Sequence, residues 1–484
     1  MTTIKLDPGA ALLLDALHGA GHAAYAVGGC VRDSLLGLDP HDWDLCTSAR
    51  PEQVMELFGE KKCIPTGLQH GTVTVKQGGR LYETTTFRTE GAYSDGRHPD
   101  AVCFVPDVRE DLARRDFTIN AMAYSAEEGL IDPFGGRDDL AAHLVRAVGE
   151  PERRFEEDAL RILRLYRFAA RFGFAIDPAT GAAARALGPH LDCVSAERIQ
   201  EELLKLLAAP RPGSYLEPAV LAVVLPELEP EKQPERFAEL CRTIDRIEPT
   251  VENVPARLAA LLCPLGEAGA RKALRKLKCS NALTDEVTAL EREAGGGAGS
   301  FLLGHEFELR HPADALCLER HSHPAGRCPN SNSLFPPQAA VVAVAGHSIA
   351  RPIACGNRVP PQRTVLGETP GTPNTRLTVQ AKRLLGRYEL PTIQRLTALC
   401  SARHPEQTGA FAALRAEAER LTAENACCRV SQLAVNGRDL MAAGVRPGPG
   451  LRQVLNALLE AVITGQTPNE KDALLAAAAQ FSAS

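Results

Sequence analysis

The chain has 484 residues and a formal net charge of −6. A chain of this length is too long for one ordinary hydrophobic core, so we expect several domains. No run of about 18 uncharged apolar residues suggests a membrane span, and the amino-terminal segment lacks the apolar stretch of a signal peptide. The fourteen cysteines are scattered and form no C-x-x-C pair, which favours free thiols in a reducing compartment. We therefore expect a cytoplasmic protein without a membrane partner.

The first 150 residues mix helical and strand patterns, and they predict an α+β domain with a small, at least partly antiparallel sheet. Two segments alternate between polar and apolar residues with the period of a strand and form a predicted hairpin through Gln77-Gly78-Gly79. The other predicted elements, in chain order, are a helix near Gly9–Gly19, a strand at Ala24–Val27, a Gly-Gly turn, a helix, a short strand carrying Asp42-Trp43-Asp44, and the hairpin strands Gly71–Lys76 and Arg80–Arg88.

From about Glu152 the apolar residues recur at helical spacing, and helices are predicted up to about residue 294. We divide this part into a first helical segment, 151–208, and a second, 209–320. Helical patterns return at Gln380–Tyr388 and continue to the end, which gives a third segment, 377–484. The clearest predicted helices are Ser195–Leu207, Pro234–Ile247, Pro255–Cys263 and Ala268–Leu277.

Residues 321–376 follow neither period and hold nine prolines with one acidic residue, Glu368. This composition predicts an irregular or disordered segment, arising either as an insertion or as a sequencing artefact. Cys317, His321, His323 and Cys328 lie near one another, but their spacing is not that of a usual zinc site. A chance cluster is the favoured interpretation.

Gly28 and Gly29 lie between a predicted strand and a predicted helix. Adjacent glycines let backbone N–H groups approach an anion closely, and the helix amino terminus adds partial positive charge. Arg32, one turn into the helix, has the reach to contact a triphosphate. The alternative interpretation is an ordinary tight turn.

Asp42 and Asp44 are two apart on a predicted strand, so their carboxylates share one face. Paired carboxylates repel unless cations neutralise them, and Mg²⁺ prefers such hard oxygen ligands together with substrate phosphates. Two metal ions would activate a 3′-hydroxyl and stabilise the leaving pyrophosphate. Glu83, on a later strand, offers a third carboxylate. A solvated strand edge explains one D-x-D equally well, but its position shortly after the Gly28-Gly29 turn favours a nucleotide site.

The segment Arg114–Met122 contains a second group of candidate ligands. Asp116 and Asn120 are four apart, and they would be neighbours on a helix. Both side chains can hydrogen-bond a ribose 2′-hydroxyl, while Arg115 can contact phosphates. A simple helix cap is the alternative.

Asp158, Arg161 and Arg164 follow at steps of three and predict one helix face, with Arg167 one step further on. Aspartate accepts hydrogen bonds and arginine donates them, so one Asp–Arg pair can match cytosine and adenine and leave guanine and uracil unpaired. A salt bridge on a solvated helix face is the alternative. Between Arg153 and Arg171 lie six arginines and three acids, so a basic face exists despite the acidic total.

Taken together, these motifs resemble the bacterial-type (class II) tRNA nucleotidyltransferase and poly(A) polymerase family. Six ordered matches span residues 20–208, and Val435–Met441 resembles the family's carboxy-terminal region. The matches are Gly28-Gly29-x-x-Arg32-Asp33, Asp42-x-Asp44, Arg114-Arg115-Asp116-Phe117-Thr118-x-Asn120-Ala121, Asp132-Pro133-x-Gly135-Gly136-x-x-Asp139-Leu140, Glu157-Asp158-x-x-Arg161-x-x-Arg164 and Ser195-x-Glu197-Arg198-Ile199-x-x-Glu202.

The resemblance implies a polymerase-β-like nucleotidyltransferase head (1–150), a helical neck (151–208), a body (209–320) and a carboxy-terminal body and tail that bind tRNA (377–484). It implies two Mg²⁺ ions on Asp42 and Asp44, and a nucleotide held by Gly29, Arg32 and Arg115. Asp158 and Arg161 would serve as a protein template for the incoming base. Arg164 and Arg167 would support them, and Asp132–Leu140 would be a hinge.

The reaction implied is addition of C, C and A to the 3′ end of tRNA from CTP and ATP. Alternatives within the family are a poly(A) polymerase or an A-only adding enzyme. A non-catalytic RNA-binding protein and a nucleotidyltransferase acting on a small molecule or protein are further alternatives. The expected counterpart of a His-Asp phosphohydrolase motif, Leu261–Gly266, contains neither residue, so we do not expect that activity.

Overall fold

The computed structural model describes residues 3–91, 102–295 and 375–481. Residues 1–307 and 376–484 belong to one compact unit, and residues 308–375 belong to a second, of which only Thr375 is described. The predicted irregular segment up to residue 374, and the Cys317 cluster, lie outside the described residues. None of the described helices is both long enough and apolar enough to cross a bilayer.

A mixed seven-stranded sheet forms the amino-terminal head, as predicted from the sequence. Its order is β3-β4-β5-β2-β1-β8-β9, in which β2 and β5 are parallel and the other neighbours antiparallel. A separate antiparallel ribbon is formed by β6 and β7. The strands are β1 Ala24–Val27, β2 Leu45–Thr47, β3 Cys63–Gly67, β4 Thr72–Gln77, β5 Arg80–Thr86, β6 Arg88–Glu90, β7 Val102–Phe104, β8 Ala123–Ser125 and β9 Gly129–Ile131.

The predicted hairpin is present, with a shorter loop than expected. Gln77 pairs with Arg80 and therefore belongs to β4. Only Gly78 and Gly79 form the loop, with φ of 57° and 81°. A two-residue loop with two positive φ values matches the twist of the flanking strands, and glycine adopts that conformation without strain.

Both faces of the head sheet are covered, because neighbouring residues of each strand point to opposite sides. Ala26 and Leu45 belong to the large core beneath one face, and Tyr25 and Cys46 to a smaller core on the other. Among its described residues the head has the helices α1 Pro8–Gly19, α2 Gly29–Leu35, α3 Pro51–Phe58, α4 Val108–Ala113 and α5 Gly136–Ala141.

The rest of the described chain is almost entirely helical, and the four helices predicted most clearly end within two residues of their expected bounds. A short parallel ribbon of β10 (Leu144–Val145) and β11 (Ala175–Ile176) joins the end of the head to the neck. The helices are α6 Pro151–Glu157, α7 Leu160–Phe172, α8 Pro178–Ala186, α9 Ala196–Leu207, α10 Pro218–Val224, α11 Pro234–Arg246, α12 Val254–Leu262, α13 Gly266–Lys276, α14 Asn281–Ala294, α15 Thr375–Arg387, α16 Leu390–Arg403, α17 Thr408–Ala423, α18 Gly437–Ala442, α19 Pro449–Ile463 and α20 Lys471–Phe481.

One arginine of the body is completely buried. The Arg257 guanidinium on α12 donates to the carbonyls of Leu207 and Ala209 (2.6 Å each) and of Ile247 (2.6 and 3.2 Å). Leu207 ends α9, Ala209 follows it closely, and Ile247 follows α11. At helix ends the backbone carbonyls have no further helical partners. Arg257 therefore fastens the end of the neck to the body.

Candidate active site

The site begins at the turn between β1 and α2. Gly28 has φ of 77°, and its N–H donates to the Met122 carbonyl at 3.0 Å. A β-carbon at this position would lie 2.8 Å from Nη1 of Arg115. The turn therefore requires glycine twice, for its backbone conformation and for the close approach of the Arg115 side chain.

The two aspartates lie immediately before β2, and not within it as the sequence pattern predicts. The strand begins at Leu45, although the Val27 N–H still donates to the Asp44 carbonyl at 3.0 Å and extends the pairing by one residue. Trp43 is buried and both aspartates are exposed. The alternation confirms that Asp42 and Asp44 share one face, because an extended backbone points every second side chain to the same side.

A third carboxylate, Glu83, lies beside the pair. In the parallel pairing of β2 with β5, Leu45 is opposite Thr84, which places Glu83 next to Asp44. Burial among protein atoms and the negative charge of Glu83 together raise the pKa of Asp44 to about 6, although Arg115 acts in the opposite direction. The Asp44 side chain is nevertheless open to water, so a cation has direct access to it from solvent. Such an arrangement favours a bound cation.

Across the described residues, no three His, Cys, Asp or Glu side chains converge as a ready-made metal cage. The geometry therefore offers an open pair of aspartates, with Glu83 adjacent to it. Mg²⁺ usually binds one or two protein carboxylates and completes its shell with water and substrate phosphates. An open pair fits that chemistry better than a closed cage would.

Arg115 lies between the carboxylates and the Gly28 turn. One of its guanidinium nitrogens donates to Asp111 at 3.3 Å, and its Nε is buried without a hydrogen-bond partner among the described residues. A buried unpaired donor is unfavourable unless a ligand satisfies it. The Nη1 end of the same guanidinium lies at the Gly28 turn, where an anionic phosphate would find a cationic donor.

Arg32 is buried beneath the turn and held on several sides. Its guanidinium donates to Asp33 at 2.8 Å and to Asn120. The same group lies over the rings of Phe168 and Phe172, at 5.2 and 4.9 Å from their centroids. Because both rings belong to α7, the phosphate-binding candidate of the head rests directly on the neck.

Asp116 and Asn120 are neighbours, but not on a helix as their spacing predicts. Phe117 is extended and Thr118–Asn120 form a single 3₁₀ turn. The Asn120 amide still donates to Asp116 at 3.0 Å. Burial by itself would raise the pKa of Asp116, but Arg164, Asn120 and Arg161 together outweigh it and hold that pKa well below its usual range. Both side chains are therefore already engaged within the protein.

Asp158 also departs from the prediction that it shares a helix face with Arg161. It lies in the break between α6 and α7, where its Oδ1 accepts from the Leu160 N–H at 3.1 Å. Its Oδ2 accepts from Arg198 of α9 at 2.8 Å. Asp158 thus caps the amino terminus of α7 and is fixed from the next helix of the neck, because a capping aspartate satisfies otherwise unpaired N–H groups.

The first three of the four arginines of α7 are spread along the junction between head and neck. Arg161 donates to Glu157 at 2.8 Å and to the Arg114 carbonyl of the head at 3.0 Å. Arg164 binds Asp116 through two nitrogens, at 2.9 and 2.6 Å. Arg167 pairs with Glu202 of α9 and stacks over Phe168 at 3.9 Å. The structure brings these predicted residues together, but each already has protein partners.

Sequence reasoning assigned no role to several residues that organise this junction. Arg198 and Glu202 were matched only as parts of a motif, and Phe168 only as an apolar helix position. Arg198 pairs with Asp158, 40 residues away in the sequence, and Glu202 pairs with Arg167, 35 residues away. The motif spacing on α9 was the only available signal, since four residues separate two side chains on one helix face.

The predicted hinge, Asp132–Leu140, is a turn followed by α5. Asp132 accepts from the N–H groups of Gly136 and Arg137 at 2.7 and 2.9 Å. Asp139 accepts from Thr118 at 2.6 Å and from Arg146 at 2.7 Å. The segment therefore connects the 3₁₀ turn of the site to the chain that leads into the neck. Its role as a hinge stays a prediction.

Comparisons with known proteins agree with this arrangement. Residues 24–146 match the family model of the poly A polymerase head domain. Residues 173–231 match that of the probable RNA and SrmB-binding site of polymerase A, and residues 390–478 that of the putative tRNA nucleotidyltransferase domain 2.

Relatives extend the similarity over nearly the whole chain. The CCA-adding enzyme of Lactiplantibacillus plantarum is 33% identical over 466 residues, covering 96% of this chain and 93% of the relative. That of Lactobacillus helveticus is 43% identical over 277 residues, covering 57% and 68%. The crystal structure of the Bacillus stearothermophilus CCA-adding enzyme in complex with CTP is 29% identical, has a TM-score of 0.68 and covers 98% of both chains. The chain therefore belongs to the family of CCA-adding enzymes, the tRNA nucleotidyltransferases.

Proposed function

We propose that this chain adds C, C and A in turn to the 3′ end of tRNA, using CTP and ATP and no nucleic-acid template. The terminal hydroxyl of the tRNA attacks the α-phosphorus of the nucleotide. The bond between the α- and β-phosphates breaks, and pyrophosphate leaves. No side-chain nucleophile takes part, so positioning and charge neutralisation supply most of the rate enhancement.

One observation carries the proposal: the Arg115 guanidinium lies with its Nη1 against a glycine turn and acts electrostatically on Asp44 of the aspartate pair. The turn and Arg115 form a site for the phosphates of a nucleotide. The aspartates form a site for cations beside those phosphates. A nucleoside triphosphate needs both at once, whereas a plain RNA-binding protein needs neither.

Enzymes of this family generally use divalent metal ions, and we assign two Mg²⁺ ions to Asp42 and Asp44. Bound there, the ions neutralise phosphate charge and lower the pKa of the attacking hydroxyl. Glu83 adjoins Asp44 and adds negative charge to the same site. Arg32 and Arg115 hold the triphosphate from the side of the Gly28 turn.

We assign base selection to the break between α6 and α7. Asp158 presents an acceptor that is fixed by Arg198, and Arg161 presents donors close by. That pattern complements the donor and acceptor edge shared by cytosine and adenine.

Cysteines in the described part of the chain are all free, which supports the reducing cytoplasm as the place of the reaction.

The metal assignment is tested by the Asp44→Ala variant. It should lose at least about a thousandfold in the rate of CTP incorporation into tRNA that lacks its CCA end, and in ATP incorporation alike. Asp39→Ala removes an exposed aspartate from the same loop and serves as the control, with near-normal rates. Near-normal turnover of Asp44→Ala would contradict the assignment.

The base-selection assignment is tested by Asp158→Asn, which keeps the cap oxygen for α7 and replaces the other acceptor by a donor. Discrimination of C and A against U and G should fall by at least about tenfold. The KM for CTP should change less. Unaltered discrimination would remove Asp158 from the template.

Supplying the nucleotides singly and together distinguishes the members of the family. The proposal expects CTP alone to add two residues and ATP to complete the end afterwards. Long A tails from ATP alone would assign a poly(A) polymerase instead. Addition of A only to tRNA that already ends in CC would assign an A-only enzyme.

A further inference from the structure

The ring of Phe168 on α7 lies against three arginines that come from both sides of the junction between head and neck. The guanidinium carbons of Arg32, Arg164 and Arg167 lie 5.2, 5.3 and 3.9 Å from the centroid of this ring. Arg32 belongs to α2 of the head, whereas the other two precede Phe168 on α7. Phe168 is only 4% exposed. Because an aromatic ring attracts cations more strongly where water is excluded, these contacts favour one fixed arrangement of the three side chains.

The carboxylates around this junction do not neutralise all of its positive charge. In the described part of the chain, four arginines lie over the rings of Phe168 and Phe172, and their ion pairs use three carboxylates. The arginines are Arg32, Arg164, Arg167 and Arg171, and the carboxylates are Asp33, Asp116 and Glu202. Part of the positive charge is therefore left for a phosphate, while the rings still attract the guanidinium groups.

Hydrogen bonds join two of these arginines by a second route. Arg32 donates to the Asn120 side chain, and the Asn120 amide donates to Asp116 at 3.0 Å. Arg164 donates to the same carboxylate through two nitrogens, at 2.9 and 2.6 Å. Arg32 and Arg164 are therefore the two ends of one hydrogen-bonded chain, and the Phe168 ring lies against both ends. The position of either arginine consequently constrains the position of the other.

The head end of this chain also contacts the glycine turn. Nη2 of Arg32 would lie 3.6 Å from a β-carbon added to Gly29, and the Arg32 side chain is buried. Its guanidinium carbon lies 4.9 Å from the ring of Phe172, which is stacked parallel to Phe168 with the centroids 6.2 Å apart. The rings of the neck and the phosphate-binding turn of the head therefore contact the same guanidinium.

We propose that Phe168 is a positioning residue for nucleotide addition, whose ring holds Arg32 at the phosphate site and Arg164 at the base-selecting part of the neck in one relative position. This inference rests on the proposed function, because that function supplies the nucleotide. A ring suits the task better than a further carboxylate, since it attracts a guanidinium without neutralising its charge or using its N–H groups. The charge then remains available for the phosphates of CTP or ATP.

Fluorinated phenylalanines in place of Phe168 test this role, because fluorine weakens the attraction of the ring for cations and hardly changes its size. The KM and kcat for CTP should be measured on tRNA that lacks its CCA end, with mono-, di- and trifluorinated rings. We expect the KM to rise stepwise, by about tenfold for the trifluorinated ring, and kcat to change by less than about twofold. The control is the same series at Phe155, a buried ring of α6 over which no arginine of the described chain lies. Its KM should stay constant.

Phe172 distinguishes support of Arg32 alone from the link between Arg32 and Arg164. Its ring lies 4.9 Å from the guanidinium carbons of Arg32 and Arg171, and no contact joins it to Arg164 in the described structure. Fluorination of Phe172 should therefore raise the KM for CTP and leave the discrimination of C and A against U and G unchanged. Fluorination of Phe168 should raise the KM and also lower that discrimination by about threefold.

The possible failures are distinguishable. A wild type that does not extend tRNA overturns the proposed function together with this inference. A wild type that extends tRNA, with a KM that stays constant along the Phe168 series, overturns the inference alone. An equal rise of the KM in the Phe155 series would mean that fluorination disturbs packing in general, and it likewise contradicts the role of Phe168. An equal loss of discrimination in the Phe172 series contradicts the link to Arg164.

Discussion

Gly28 is the residue at which backbone conformation and phosphate binding depend on each other. Its φ is 77°, and a β-carbon added to it would lie 2.8 Å from Nη1 of Arg115. Each of these two observations separately requires glycine at this position. Gly37 has a similar φ of 73°, and no atom lies within 4 Å of its β-carbon position. Substitution of Gly37 therefore tests backbone strain alone, whereas substitution of Gly28 also displaces the Arg115 side chain.

We expect Gly28→Ala to raise the KM for CTP and ATP by at least about tenfold, because its β-carbon displaces the arginine that contacts phosphate. Gly37→Ala should lose about 1 to 2 kcal/mol of stability, because alanine is strained at positive φ. Gly28→Ala should lose more, because its ψ of −121° lies outside the left-handed helical region and its β-carbon meets Arg115. Initial rates and thermal unfolding of both variants provide the measurement. An equal KM for Gly28→Ala and Gly37→Ala would contradict the role given to the turn.

The site residues that sequence reasoning locates correctly are those determined by local patterns. Asp42 and Asp44 alternate with buried Trp43, and that alternation is visible in three consecutive letters. Asp116 and Asn120 are neighbours as predicted, but a spacing of four also fits an extended residue followed by a 3₁₀ turn. Periodicity indicates which residues are near each other more reliably than it indicates the backbone between them.

The contacts that sequence reasoning misses join distant segments. Asp158 pairs with Arg198, and Arg171 of α7 pairs with Asp33 of α2 at 3.1 Å. No local spacing encodes these pairs, because they depend on how α7 and the break before it pack against α9 and α2. The head, in contrast, was predictable as a mixed sheet, since strand period and glycine turns are local signals.

At the scale of elements, α14 carries a buried carboxyl without a partner. Glu291 is 4% exposed, and its Oε1 has no hydrogen-bond partner within the described chain. Burial raises the pKa of Glu291 to about 7, and the positive charge of Arg403 on α16 opposes that rise only in part. The helix bundle of the body therefore prefers this group neutral.

The stability of the body should consequently depend on pH. Below about pH 4.5 the carboxyl is neutral in both states. Between about 4.5 and 7 the unfolded chain ionises first, so up to about 3 kcal/mol of stability is lost as the pH rises. Glu291→Gln should remove this loss and be the more stable protein at pH 8, with little gain at pH 5. Denaturant unfolding at the two pH values measures the effect.

Glu293 provides the comparison for Glu291. It is equally buried on α14, but its carboxylate accepts from the Tyr388 hydroxyl at 2.8 Å. Glu293→Gln should not gain stability at pH 8, because it weakens an existing hydrogen bond to a charged group. A similar gain in both variants would show that the absence of a partner at Glu291 has no energetic consequence.

At the scale of the whole molecule, ion pairs join the head to α7 of the neck. Arg164 reaches Asp116 from α7, and Arg171 reaches Asp33. Both carboxylates are buried, but Asp33 is also paired with Arg32, and the Arg171 side chain is 46% exposed against 33% for Arg164. Burial strengthens a charge interaction and makes an unpaired partner unfavourable, so the two pairs should differ in their effect.

A double-mutant cycle with Asp116→Asn and Arg164→Gln should show a coupling energy of about 2 kcal/mol, because Arg164→Gln leaves the buried Asp116 carboxylate without the partner that binds it through two nitrogens. The corresponding cycle with Asp33→Asn and Arg171→Gln should give less than about 1 kcal/mol, because water screens the exposed arginine. Urea unfolding of the six variants and the wild type gives both values. Equal coupling energies would mean that burial does not distinguish the two pairs.

Arg257 determines where this molecule can be divided. The boundary predicted between neck and body falls at residues 208 and 209, yet a single guanidinium holds the carbonyls of Leu207 and Ala209 on either side of it. A division there would leave the Leu207 carbonyl without its buried donor and would deprive Arg257 of one of its three acceptor residues, while Ala209 and Ile247 would stay in the same fragment as Arg257. Neck and body should therefore resist separate expression, and any bending during a catalytic cycle should occur on the head side of the neck.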